Sequence, residues 1–158
     1  MPINLTELRY IKMNFEITDV ITAEDNNAIF QGLYSYNLSK IEDKNPRKLG
    51  VYHRVDGKIL GGVVGVTHGN WLEIDYLWVS DELRGSGIGK ELLAAAEKEA
   101  VNRNCKYSFL YTFGFQALGF YVKCGYREVL TLENFPLTGS RHYLVKDLCS
   151  DICWICRR

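Results

Sequence analysis

Glycines at alternate positions in Arg84-Gly85-Ser86-Gly87-Ile88-Gly89-Lys90 are the first candidate for chemistry. With no Cβ in the way, such a backbone can approach an anion to hydrogen-bonding distance. The segment follows a predicted strand ending at Val79 and opens a predicted helix near Gly85, a junction that leaves several N–H groups without intrahelical acceptors and so attracts phosphate. Arg84 and Lys90 add positive charge. The pattern is not a P-loop, which needs four residues between its glycines and a Lys-Ser/Thr ending. Nor is it the dinucleotide fingerprint, which needs glycine or alanine at 90 or 92, where Lys90 and Leu92 stand. Taken alone, the turn is read equally well as an anion site or as a steric device at a helix start.

A second candidate lies just upstream. In Trp71-Leu72-Glu73-Ile74-Asp75-Tyr76-Leu77-Trp78-Val79 the alternation predicts a strand with Leu72, Ile74, Tyr76 and Trp78 on one face and Glu73, Asp75, Leu77 and Val79 on the other. Two carboxylates on one face can bind a cation or exchange a proton. The bland alternative is a pair of solvated charges on an exposed strand.

Cys105, Cys124, Cys149, Cys153 and Cys156 are odd in number, and the chain carries no sign of secretion, so they read as reduced thiols. Cys153 and Cys156 form a C-x-x-C pair, and Cys149 and His142 could extend it toward a metal site. Structural zinc usually takes two such pairs, so no metal is expected. Ile152, Cys153, Trp154 and Ile155 read as an apolar tail that packs on the domain or a partner.

These groups must be held by a scaffold. A first strand is expected at Met13, Phe15 and Ile17, then a helix capped by Thr22 and running through Ala28, Ile29, Leu33 and Tyr36. The segments 49–55 and 59–66 predict a hairpin on the turn Asp56-Gly57. After the glycine turn a long helix presents Ile88, Leu92, Leu93, Ala96 and Ala100 on one side. A strand at 107–111, a short helix at 115–123 stopping at Gly125, and strands at 126–132 and 141–148 follow. His68 reads as a loop residue. The expected fold class is α+β: one mixed, mostly antiparallel sheet of about six to seven strands with helices on both faces.

Length and charge bound what the scaffold does. The 158 residues suit one domain over residues 1–148 with a short tail at 149–158. Nineteen basic residues balance nineteen acidic ones, so no global field draws the chain to nucleic acid or to an anionic membrane. The N-terminus lacks a signal-peptide pattern, and no apolar run reaches the length of a membrane span, so a cytoplasmic location is expected.

Leu83 to Lys90, after a strand ending in Leu77-Trp78-Val79, resembles the R/Q-x-x-G-x-G/A signature of the GNAT superfamily of N-acetyltransferases. Phe120-Tyr121-Val122-Lys123-Cys124-Gly125-Tyr126-Arg127-Glu128 resembles a second family motif, and the likeness extends over about residues 13–148. It implies acetyl-coenzyme A as cosubstrate. Backbone groups of Leu77, Trp78 and Val79 would pair with the pantetheine arm, and Arg84, Gly85, Ser86, Gly87, Ile88, Gly89 and Lys90 would hold the pyrophosphate. Many members carry an asparagine near the pantetheine where this chain has Gly114.

The implied reaction is direct acetyl transfer to a primary amine of a small molecule or peptide, through a tetrahedral intermediate whose oxyanion a backbone N–H of the central strand stabilises. An alkylammonium with a pKa near ~10 must lose a proton and the departing thiolate must gain one. Tyr121 matches the family tyrosine beside the coenzyme sulfur, which makes it the implied acid. Glu73, eleven positions before Arg84, matches the glutamate base of histone-type members, and Asp75 stands as the alternative base. Gln31, Tyr34, Tyr36 and Asn37 are the candidate acceptor-binding residues, in a monomer or a homodimer. A non-catalytic acyl-coenzyme A-binding or protein-interaction module that keeps the fold is the competing reading.

Overall fold

Positive φ angles at Asp56 (49°) and Gly57 (79°) build the tight turn that joins the first two strands, and the sheet grows outward from that hairpin. The computed structural model describes residues 15–43 and 45–149. Contacts divide the chain into two compact units, residues 1–41 and 42–158.

The first unit holds helix α1 (Ala23–Leu38). Thr22 caps it as expected, its hydroxyl accepting from the Asp25 N–H at 3.0 Å, while Glu24 and Asp25 place negative charge at the positive end of the helix dipole. The first strand predicted from the sequence is not formed where it can be seen. Phe15 and Ile17 are non-helical, non-strand residues exposed to 84% and 98%, and Met13 lies outside the described residues. Three alternating positions are too short a signal to establish a strand without a hydrogen-bonded neighbour.

The second unit is a six-stranded sheet. Its strands are β1 (Arg47–Val55), β2 (Lys58–His68), β3 (Trp71–Val79), β4 (Tyr107–Phe113), β5 (Arg127–Glu133) and β6 (Ser140–Asp147), in the order β1-β2-β3-β4-β6-β5. Every neighbouring pair is antiparallel except β3 and β4, which are parallel and joined by a crossover through a 3-10 turn (Asp81–Leu83) and helix α2 (Ile88–Asn102). A short helix α3 (Leu118–Lys123) links β4 to β5. The predicted apolar side of α2 is the one that packs: Leu92, Leu93, Ala96 and Ala100 are buried, with Leu72, Ile74, Leu110 and Leu144 from the sheet in the same core. Burying each leucine contributes about 2 kcal/mol. No described helix is long and apolar enough to cross a membrane.

Two local readings are corrected. His68 is the last residue of β2, not a loop residue, and its Nε2 lies 2.7 Å from the Asp43 carbonyl. More consequential is a bulge in β3. Ile74 pairs with Gly65 and Tyr76 with Val64, leaving Asp75 unpaired. One extra residue reverses the alternation beyond it. Leu77 and Val79 therefore join Leu72 and Ile74 on the core side, while Tyr76 and Trp78, expected there, are 71% and 51% exposed. Gly65 permits the bulge, since a Cβ at that position would collide with the Glu73 carbonyl oxygen.

Cys105, Cys124 and Cys149 are free thiols. Cys153 and Cys156, with the rest of the tail from residue 150, lie outside the described residues.

Candidate active site

The glycine turn closes β3 onto α2 with backbone conformations that side chains resist. Gly85 has φ 79° and Gly87 has φ 94°, and Gly87 stands as the N-cap of α2, so the helix begins at Ile88 rather than at Gly85. A Cβ built on either glycine meets nothing within 4 Å. Here glycine is required by the left-handed backbone and not by crowding.

The hydrogen bonds divide the turn. The Ser86 N–H donates to the Leu83 carbonyl and the Lys90 N–H to the Gly87 carbonyl, at 3.3 and 2.9 Å. Among the described residues the N–H groups of Gly85, Gly87, Ile88 and Gly89 have no acceptor. Four free donors in consecutive turns of an exposed helix start form an anion cradle. The cations beside it differ in availability. Arg84 is paired with Asp81 at 2.7 Å, an ion pair between two exposed side chains, whereas Lys90 makes no ion pair among the described residues.

Above the turn, β3 and β4 separate. Their register runs Trp71↔Tyr107, Leu72↔Ser108 and Glu73↔Phe109 and then stops, although both strands continue. The closed end is pinned by Trp71 and Tyr107, whose rings are tilted by 34° with centroids 4.9 Å apart. From Ile74 onward the β4-facing edge of β3 is unpaired with β4, while its other edge still pairs with β2 at Leu77, Trp78 and Val79. A wedge with one open strand edge accepts an extended chain as a further strand.

Helix α3 ties the wedge to the turn. Phe120 lies about 3.6 Å from where a Gly89 Cβ would sit, and so does a Val79 methyl, so the helix, the turn and the end of β3 meet at one point. Tyr121, next along α3, is buried at 7% exposure, with its ring edge-on to Phe120 at 5.1 Å and to Tyr126 at 5.9 Å. Its hydroxyl has no hydrogen-bond partner among the described residues. Burial, helped by nearby Cys124, pushes its pKa up to about 12, so the phenol holds its proton across the neutral range.

Glu73 and Asp75 are both exposed on the sheet face opposite α2, Glu73 at the last paired position before the strands part and Asp75 at the bulge. Gly114 is tied down, its N–H donating to the Ser140 carbonyl at 2.9 Å. A Cβ there would come within 2.5 Å of Ser140 Oγ, so any larger residue must move that hydroxyl. Gln31, Tyr34, Tyr36 and Asn37 lie on α1 in the first unit, all exposed, with Tyr34 stacked on Phe30.

Sequence reasoning missed one side-chain network. Ser140 Oγ lies 2.8 Å from His142 Nε2, and His142 Nδ1 lies 3.1 Å from Thr131 Oγ1 and 3.3 Å from Glu128 Oε2. Thr131 also donates to Glu128, and that bond, with His142, holds the Glu128 carboxyl below its usual range. His142 is thus engaged within the β5–β6 pair. Alternating polar residues on two adjacent strands were the available signal, but only the register brings them together.

A mixed sheet with one splayed parallel pair, a glycine turn at the following helix and a buried tyrosine on the next helix together fit an acyltransferase fold. Residues 16–126 match the Acetyltransferase (GNAT) family, and the chain belongs to that family. It is 37% identical to an acetyltransferase of Agrobacterium fabrum over 130 residues, covering 82% of this chain and 93% of that protein. It is 41% identical to the blasticidin-S acetyltransferase of Streptomyces morookaense over 93 residues, covering 58% of this chain and 68% of the other. The crystal structure of an acetyltransferase from Bacillus cereus superposes with a TM-score of 0.76 at 32% identity, over 84% of this chain and 97% of that one.

Proposed function

We propose that this acyltransferase moves an acetyl group from acetyl-coenzyme A directly to a primary amine. The observation that carries the reading is the set of unpartnered N–H groups at Gly85, Gly87, Ile88 and Gly89, continuous with the unpaired edge of β3. When bound, acetyl-coenzyme A supplies an activated thioester. The four N–H groups bind its pyrophosphate, with Lys90 and the Arg84 side chain adding charge and Ser86 shaping the turn through its bond to Leu83. The backbone of Leu77, Trp78 and Val79 orients the pantetheine arm.

Tyr121 holds a proton at Oη for the departing sulfur. Its raised pKa makes it a weak acid in water, but the desolvation that raises it raises the proton affinity of a thiolate beside it as well. Glu73 or Asp75 takes the proton of the incoming ammonium. Both stay candidates, because both are exposed on the same face. A small-molecule acceptor is favoured by the likeness to an enzyme named for blasticidin-S, with Gln31, Tyr34, Tyr36 and Asn37 contributing to its site. The match over residues 16–126 supports residues 1–148 working as one acetyltransferase domain, and a cytoplasmic location is part of the same proposal.

The test is thiol release from acetyl-coenzyme A across a panel of primary amines. Turnover is expected with at least one amine, and Tyr121→Phe should lower kcat by about 10²-fold while leaving coenzyme binding intact. Coenzyme binding with no thiol release for any amine would favour a non-catalytic module and overturn the reading.

A further inference from the structure

On the face that carries Glu73, a second charged group stands without a partner. Register puts Phe109 beside Glu73, and alternation along β4 puts Tyr111 and Phe113 on the same face; across to β6, Tyr111 pairs with Tyr143 and Phe113 with Arg141. The Arg141 guanidinium lies among three rings, 4.6 Å from the centroid of Tyr111, 4.9 Å from Phe113 and 3.8 Å from Phe135. It forms no ion pair and no hydrogen bond among the described residues, and its Nε is sealed from solvent with nothing to donate to.

Such an arrangement is costly unless something else completes it. Cation–π contact offsets part of the desolvation, by about 0.5–2 kcal/mol, but leaves the N–H donors of the guanidinium unused. Contact with three rings restrains the guanidinium, and a restrained planar fork suits a planar anion that accepts two parallel N–H bonds. The rings around it seal the Nε–H from water. Phe135 arrives from the β5–β6 connection, where its N–H donates to the Gly139 carbonyl, so the cage is built by a closed loop and not by a free side chain.

We propose that Arg141 binds a carboxylate carried by the acceptor. This rests on the acyl-transfer reading, and it adds that the amine to be acetylated belongs to an amino acid or to a small molecule bearing a carboxylate. The two ends of such an acceptor are matched on one sheet face. Glu73 and Asp75 on β3 face its ammonium, and Arg141 on β6 lies two strands across and four residues further along, roughly 16 Å from Glu73 between backbone positions, with the Arg141 guanidinium reaching back over Tyr111. An acceptor with only a cationic end would leave the sealed Arg141 Nε–H unpaired.

Two measurements test the site separately from the reaction. In protein labelled with 15N-arginine, the Arg141 Nε–H signal, assigned with Arg141→Lys, should shift saturably on adding sodium acetate and not on adding sodium chloride at equal ionic strength. A signal that acetate leaves unmoved, or that methyl phosphate moves more strongly, overturns the carboxylate assignment. With acetyl-coenzyme A present, 6-aminohexanoate should be acetylated with a kcat/KM at least about tenfold above that of 6-aminohexanamide, the range of a charge-assisted hydrogen bond. That ratio should fall toward one in Arg141→Gln, shown to be folded by its thermal melt. A ratio near one in the unaltered protein overturns the proposal. An acetate-dependent shift with turnover of neither amine would uphold the anion site and count against acetyl transfer instead.

Discussion

Tyr121 carries two consequences of one physical fact, its burial without a hydrogen-bond partner. Its folded pKa of about 12 lies above the unfolded value of about 10, so its neutral form stabilises the fold fully below about pH 10 and that contribution is lost as pH rises toward 12. Tyr126, buried and donating to Ser108 Oγ at 2.7 Å, is raised too, by burial first, and acts in the same direction. We expect urea titrations between pH 9 and 12 to show a steep alkaline loss of stability that Tyr121→Phe flattens by about 2 kcal/mol. An unchanged alkaline limb would mean that the phenol is solvated. Activity should show no basic limb from Tyr121 below about pH 11. Gly114→Asn tests the crowding at Ser140: the new Cβ must displace the Ser140 hydroxyl from His142, and an equilibrium unfolding loss of about 1–3 kcal/mol is expected.

At the scale of elements, the bulge in β3 and the parting of β3 from β4 act together. The bulge turns Leu77 and Val79 into the core and leaves Tyr76 and Trp78 outside, and parting frees the strand edge that an extended ligand would use. Gly65→Ala should disturb both, because a methyl group at that position meets the Glu73 carbonyl oxygen, a backbone atom that cannot swing away. Loss of coenzyme affinity together with a lowered thermal midpoint is the expected result; an unchanged midpoint would show that the bulge does not depend on glycine. The turn behaves differently. At Gly87 the obstacle is φ 94° and not space, so Gly87→Ala should cost about 1 kcal/mol or more through backbone strain and reorient the Ile88 and Gly89 donors. Calorimetry with acetyl-coenzyme A checks that against the unaltered protein.

For the whole molecule, most of the scaffold was legible in the residues because its signals are local. Thr22 before an acidic first turn, Asp56-Gly57 between alternating runs, and the apolar stripe of α2 each name an element without reference to the rest. The glycine turn was legible as a place where donors collect, but not which donors stay free, since that depends on Leu83 and Gly87 carbonyls folding back onto Ser86 and Lys90. What resisted reading depends on register. A bulge shifts every side chain beyond it, so Tyr76 and Trp78 were expected on the wrong face. The Ser140–His142–Glu128 network exists only through the β5–β6 register, and the Arg141 cage only because β6 also lies beside β4, an order that no local pattern encodes. The fold also has an acid-labile part: the carboxyl of Glu128 is held low by Thr131 and His142, so its contribution is present above the usual carboxylate range and is lost as pH falls through the lowered value. Glu128→Gln should flatten the acid limb of an unfolding profile.

The central claim is that four particular backbone donors hold the coenzyme. Amide 1H–15N spectra recorded while acetyl-coenzyme A is added measure this directly. Saturable shifts are expected at Gly85, Gly87, Ile88 and Gly89 that exceed those at Ser86 and Lys90, whose N–H groups are already bonded within the turn. Unmoved signals at those four positions under millimolar acetyl-coenzyme A would contradict it.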